Sequence, residues 1–254
     1  MSLEIYLMRA LKTLLATAAL ATAMLASTAQ AVVLFSDNFE ELSPTVHANG
    51  QYDTNFTAFT TGLHVEDGTV DLIGPGNPWA LTGATNFVDL DGSTRNGGIL
   101  RTDAFAFNAG DVITFEFDLA GNQRHGTDQW DFGFQTADSN NIQFLNIVRT
   151  GLLELGPGPS AFGPAIGAGN AALANTSAWN HYSLSFTAGN SGSFTAYVGT
   201  ASADKLGPLV DNLLLTSIPG LASVPEPTTW LLMILGFGGV GAMMRRQRLV
   251  PAYA

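Results

Sequence analysis

The chain contains no cysteine. A disulfide framework is therefore excluded, and packing or a bound metal must hold whatever folds. Basic residues are scarce, 10 Lys and Arg against 21 Asp and Glu in 254 residues, for a net charge of −11. Five of the ten, Arg9, Lys12, Arg245, Arg246 and Arg248, lie near the two ends. The interior keeps Arg95, Arg101, Arg124, Arg149 and Lys205 against nineteen carboxylates (21 less Glu4 and Glu226). So acidic a domain excludes nucleic acid and anionic lipid surfaces as partners and leaves calcium, neutral glycans and cationic surfaces open. The four histidines, His47, His64, His125 and His181, form no His-x-x-x-His or His-Glu-x-x-His pair, which argues against a catalytic zinc. There is no Gly-x-Ser-x-Gly elbow either. Between the ends no long helical period appears, and no internal repeat.

What is present begins with a leader. Arg9 and Lys12 precede an apolar run over residues 14–26, and Ala29-Gln30-Ala31 is a small-x-small cleavage site. Residues 1–31 read as a signal peptide cut before Val32. The run is too short to span a bilayer comfortably, which disfavours an uncleaved anchor. Met1 and Met8 are both open as the start. At the other end, Val224-Pro225-Glu226-Pro227 precedes residues 230–244, apolar or glycine throughout, and then Arg245, Arg246 and Arg248. The prolines keep the segment extended and accessible. Trp230 sits where an interfacial aromatic belongs, and the arginines mark a cytoplasmic side. The expected boundaries are a sandwich domain over 32–221, a linker and sorting motif over 222–227, a transmembrane helix over 228–244 and a basic cytoplasmic tail over 245–254.

That C-terminal triplet resembles the PEP-CTERM sorting signal of Gram-negative bacteria. The resemblance implies export through the secretory translocon with signal peptidase, transient anchoring in the inner membrane, and processing by an exosortase near Pro225-Glu226-Pro227. Release to the cell surface or the exopolysaccharide matrix would follow. An ordinary membrane anchor with a Pro-Glu-Pro linker is the competing reading.

The interior reads as all-β. In residues 112–119, Ile113, Phe115, Phe117 and Leu119 alternate with Thr114, Glu116 and Asp118; Trp130, Phe132 and Phe134 repeat the pattern, as do Tyr182, Leu184 and Phe186. Period-two alternation signals half-buried strands. Further strands are expected at 32–36, 59–65, 70–73, 87–90, 99–107, 142–148, 193–198 and 210–216. Many short antiparallel strands predict a two-sheet antiparallel β-sandwich, a jelly roll. The Gly-, Ala- and Pro-rich residues 156–175 read as a long surface loop, with a short helix at 171–174. Three segments, Asn86 to Ser93, Phe107 to Gln123 with Arg124, and Leu209 to Leu215, are similar to galactose-binding-like and carbohydrate-binding-module-like jelly rolls.

Jelly rolls of that kind hold a structural calcium between their first and last strands. The corresponding carboxylates here are Asp37, Glu40 and Asp211, beside Asn38 and Asn212. Asp211 shares its strand face with Leu213 and Leu215. It either points inward, where a buried carboxylate needs a partner or metal, or caps a turn at the sheet edge. Asp89-Leu90-Asp91-Gly92 reads as a β-turn. For glycan binding the candidates are Trp79, in a Gly-Pro-rich loop, and Trp130, after a polar loop where Arg124 and Asp128 bond hydroxyls. His125 beside Arg124 and Asp128 reads as a polar loop rather than acid-base machinery. Two functions stay open: a non-catalytic surface or matrix protein associated with exopolysaccharide, or an envelope glycan hydrolase.

Overall fold

A computed structural model describes residues 30–44, 51–59, 61–83, 85–136, 144–150, 166–220, 231 and 233–239. The chain divides into two units, Met1–Gly220 and Leu221–Ala254. In the first, fourteen described strands form two sheets.

The strands are β1 (Val32–Asp37), β2 (Tyr52–Phe56), β3 (Leu63–Glu66), β4 (Val70–Ile73), β5 (Phe87–Asp89), β6 (Ile99–Thr102) and β7 (Phe105–Phe107). They continue with β8 (Val112–Ala120), β9 (Thr127–Gln135), β10 (Phe144–Thr150), β11 (Ile166–Ala174), β12 (Asn180–Ala188), β13 (Gly192–Thr200) and β14 (Leu209–Ile218). The eight-stranded sheet runs β10-β12-β8-β14-β5-β4-β2, with β1 also paired to β14. The six-stranded sheet runs β11-β9-β13-β6-β3, with β7 also on β13. Every pairing between these strands is antiparallel, so the fold is the expected sandwich.

Alternation decides which faces meet. On β8 the burial pattern is strictly alternating until its end, with Ile113, Phe115, Phe117 and Leu119 buried. Tyr182, Leu184 and Phe186 of β12 bury the same way, and Trp130, Phe132 and Phe134 answer them from β9. Rings interlock across the gap: Phe117 meets Phe132 edge-on at 5.4 Å, and Phe134 meets Phe186 at 4.9 Å. Edge-to-face contact suits the ring quadrupoles and adds to the gain from burial.

Three expectations need correction. The strand expected at 59–65 begins only at Leu63, after a turn at 61–62. The segment 99–107 is two strands. At Asp103 the backbone N–H turns to Gly62 O (2.9 Å), and the ladder to β13 resumes only at Phe105. The predicted loop at 156–175 contains β11, and no helix forms at 171–174; Gly169 to Ala174 pair residue by residue with Phe132 to Thr127. Glycine and alanine carry little strand preference, so the edge of β9 supplies the order that the side chains do not. Strand β2 was not expected; its buried member is Asp53, flanked by half-buried Tyr52 and Thr54, an inverted pattern that conceals it.

In the second unit, residues 231 and 233–239 are helical, with Leu231, Met233, Ile234, Leu235 and Phe237 exposed. Among the described residues no helix is long and apolar enough to cross a membrane. Residues 228–230, 232 and 240–244 of the expected span lie outside the described residues.

Candidate functional site

The sequence candidates Trp79 and Arg124 meet at one end of the sandwich. After β4 the chain turns at Gly76, whose φ of +76° is open to glycine at little cost. Asn77, 5 % exposed, staples the turn. Its Nδ2 donates to Gly74 O (3.2 Å) and Leu81 O (3.0 Å), and its Oδ1 accepts from Leu81 N (3.1 Å). Trp79 is thereby held outward, 36 % exposed. The Tyr52 ring braces it edge-on at 4.3 Å, and the Arg124 guanidinium lies 5.8 Å from its ring centre. That separation falls within cation–π range.

Arg124 is fixed from behind. Its Nη2 donates to Asp89 Oδ2 at 2.7 Å, and Asp89 is almost fully buried. Burial pushes the Asp89 pKa well up, and Arg124 opposes the shift. The other Asp89 oxygen accepts from Asp91 N and Gly207 N. A Cβ on Gly207 would lie 2.2 Å from Asp91 N, so glycine is required for that approach. Gln123 ties the loop to the segment after Trp79. Its Oε1 accepts from Thr82 N and Oγ1, while Thr82 O accepts from Gln123 Nε2 and Trp179 Nε1.

The loop between β8 and β9 is organised by Asn122, which is fully buried. Its Oδ1 accepts from Arg124 N and His125 N, and its Nδ2 donates to His125 O and to Asp128 Oδ2 (2.9 Å). Asp128 is 2 % exposed, and burial lifts its pKa to about 6. It cannot reach a sugar hydroxyl as expected; it anchors the loop instead. His125 enters this network through its backbone, consistent with a polar loop.

Trp130 is also corrected. It is 2 % exposed, stacked on Phe132 at 5.0 Å and edge-on to Tyr182 at 5.1 Å. Its ring is buried in the core, so no sugar can stack there.

The metal candidates separate. Strands β1 and β14 do pair, with Asp37 opposite Leu213. Asp37 Oδ1 accepts from Phe39 N (2.8 Å), and Glu40 Oε1 accepts from Asn86 N (2.7 Å). Asp211 Oδ1 accepts from Asn212 N. Burial lifts the Asp211 pKa to about 6, and the Asp118 and Glu40 charges add to the rise. Among the described residues no three His, Cys, Asp or Glu side chains form a metal-ligand group. Asp118 acts on Asp211 more strongly than Glu40 does, and Asp37 accepts from the backbone of Phe39.

The cleavage residue Ala29 and the sorting residues Pro225, Glu226, Pro227, Arg245, Arg246 and Arg248 lie outside the described residues; Ala31 lies just before β1. Sequence reasoning missed Tyr52 and Asn77, and read Asp89 only as part of a turn. Only the Asn77 turn carried a signal, in its surrounding glycines and prolines.

Residues 223–248 match the family model described as the PEP-CTERM protein-sorting motif. The motif implies an exported, sorted surface protein, anchored transiently in the membrane and processed by an exosortase-type enzyme. No curated protein matches the chain. Among solved structures it is similar to the CBM22-1 xylan-binding domain of Paenibacillus barcinonensis Xyn10C, at 10 % identity over 74 % of this chain and 96 % of that one, with a TM-score of 0.38. It is similar to a cyclase from Fischerella sp. TAU, at 12 % identity over 75 % and 99 %, with a TM-score of 0.42. It is also similar to the K3 adhesin domain of Lys-gingipain from Porphyromonas gingivalis W83, at 14 % identity over 74 % and 99 %, with a TM-score of 0.37.

Proposed function

We propose that the sandwich, residues 32–221, is a non-catalytic module that associates its exported chain with glycan at the cell surface or in the exopolysaccharide matrix. On this reading the chain passes the secretory translocon, loses residues 1–31 to signal peptidase, and pauses in the inner membrane on residues 228–244 before processing. The observation that carries the glycan half is Trp79. A braced, half-exposed indole offers a flat apolar surface to the C–H face of a sugar, and Arg124 beside it offers N–H donors to hydroxyls. Two carboxylates tied to the Arg124 loop, Asp89 and Asp128, are spent on Arg124 and Asn122, which supports binding without acid-base chemistry. The test is calorimetric titration with neutral gluco-, xylo- and galacto-configured hexasaccharides. At least one should bind, and Trp79→Ala should weaken it roughly tenfold, a loss of about 1.4 kcal/mol. Wild-type affinity in that variant would remove Trp79 from the site.

Calcium is proposed as a structural clasp at Glu40 and Asp211. Asp211 is 8 % exposed and its carboxyl is raised first by burial, with Glu40 the least of the contributors; a cation relieves such a group, and calcium accepts carboxylate, carbonyl and water oxygens together. Binding to the folded state alone adds about 2.7 kcal/mol at one hundred times the dissociation constant. Calcium should raise the melting temperature more than magnesium does, and Asp211→Asn should abolish most of the difference. Equal shifts with both ions, or an unchanged response in Asp211→Asn, would remove the clasp.

A further inference from the structure

Leaving Trp79 aside, the large hydrophobic side chains exposed among the described residues of the first unit are Val32, Val33, Leu145, Ile147, Val148 and Ile218. They are far apart in sequence, and the strand registers gather them. Ile113 and Phe115 of β8 point into the core, so Val112 and Thr114 point out. From Thr114 the register leads to Thr216 of β14 and Val33 of β1 on one side, and to Ser185 of β12 and Val148 of β10 on the other. From Val112 it leads to Ile218 of β14 on one side, and to Thr187 of β12 and Leu145 of β10 on the other. Val32 and Ile147 border these two rows. The rows make one continuous outer face across five strands of the eight-stranded sheet, with threonine and serine hydroxyls set among aliphatic side chains.

What the two rows lack identifies their partner. They hold no aromatic ring, so a sugar has nothing flat to stack on. They hold no Lys or Arg, so lipid headgroup phosphates have no counter-charge there. They also hold no Asp or Glu, although the domain around them is strongly acidic. Two copies of such a domain repel each other wherever carboxylates face carboxylates, and this face is where they can meet without that cost. Depletion of charge is the compositional mark of the middle of a protein interface, and contiguous exposed apolar surface is its driving force. Hydroxyls suit a like face as well, because each one both donates and accepts.

We propose that this face binds the same face of a second copy of the chain, sheet against sheet across a two-fold axis. Strand β8 is the middle one of the five, so Thr114 lies near the axis. A flat face has no pocket for an anchoring side chain, so the pair is reversible. The inference goes beyond the glycan reading and does not rest on it. Sedimentation velocity of the full chain in density-matched detergent, over a concentration series, reads the association. Wild type should pass from monomer to dimer, and more readily at higher salt, which screens the repulsion between acidic domains. Ser185→Asp, at a half-exposed position of the face, should weaken the dimer at least tenfold. An equimolar mixture of Ser185→Asp and Ser185→Lys chains should restore it, which misfolded variants could not do. Gln129→Asp adds the same charge at an exposed position of β9, in the other sheet, and should leave the dimer unchanged. Because the chain has no cysteine, Thr114→Cys carries a single thiol, and a bis-maleimide spanning the about 10 Å between stacked sheets should link two such chains. Four results would overturn the face: a monomer at every concentration, no link through Thr114→Cys, a dimer that Ser185→Asp leaves intact, which would place the contact in the apolar tail, or an equal loss in Gln129→Asp, which would mean acidic repulsion at large.

Discussion

Phe117→Ala is expected to remove about 3–5 kcal/mol of folding stability, the range measured for large aromatic truncations in cores. Phe117 is fully buried and lies at the centre of the interlocked rings, with Phe115 at 5.2 Å, Phe132 at 5.4 Å, Tyr182 at 5.8 Å and Trp130 at 6.0 Å. Its neighbours come from β8, β9 and β12, so the hole opens between the sheets and no single strand can close it. Domains hold only about 5–15 kcal/mol in total, so this one change takes a large share. Equilibrium urea unfolding reads the loss. Phe105→Ala, at a half-buried ring with one described ring neighbour, Phe194, should cost clearly less. A cost below about 1 kcal/mol for Phe117→Ala would contradict the packing described.

The second large effect is at the other end. Glu226→Ala is expected to leave most of the chain full length and in the inner membrane. Glu226 is the one charged side chain between Asp211 and Arg245, and it sits between two prolines, neither of which carries a backbone N–H donor. An exosortase-type enzyme has no other local charge to recognise. Fractionation followed by immunoblotting reads the outcome, with wild type shortened and at the surface and the variant intact and membrane-bound. Normal release of Glu226→Ala would make the tripeptide a spacer.

How far the sequence discloses these features depends on how local each signal is. The tail is a linear pattern, and its three parts are legible without any fold. Strands β8 and β12 are legible because large apolar residues alternate with polar ones. Strand β11 is not, because its glycines and alanines gain their order from β9 across a register that the sequence does not state. Trp130 shows two signals in conflict. Its place after a polar loop points outward, while its parity with Phe132 and Phe134 points inward, and parity wins because a one-residue slip would carry the whole aromatic set to the opposite face of the sheet, away from Phe117 and Phe186. Trp79 has no such parity and follows its Gly-Pro turn outward. The cluster on Asp118, where His181 Nδ1 lies 2.9 Å from Oδ1 and Asn212 Nδ2 donates to Oδ2 at 2.8 Å, is hidden for a further reason. Glu116 and Asp118 read simply as the solvated half of an alternating strand, and only the β8–β12 register and the irregularity at Asn212 bring His181 and an amide onto them.

The central claim, association with glycan without chemistry, is tested most directly by native mass spectrometry of the full chain in mild detergent with the neutral hexasaccharide panel. One spectrum records both the complex and the fate of the ligand. The account predicts a one-to-one complex from which the saccharide is recovered at unchanged mass, however long the incubation. Shortened saccharides would establish a hydrolase, and bare protein with every ligand would contradict the account outright.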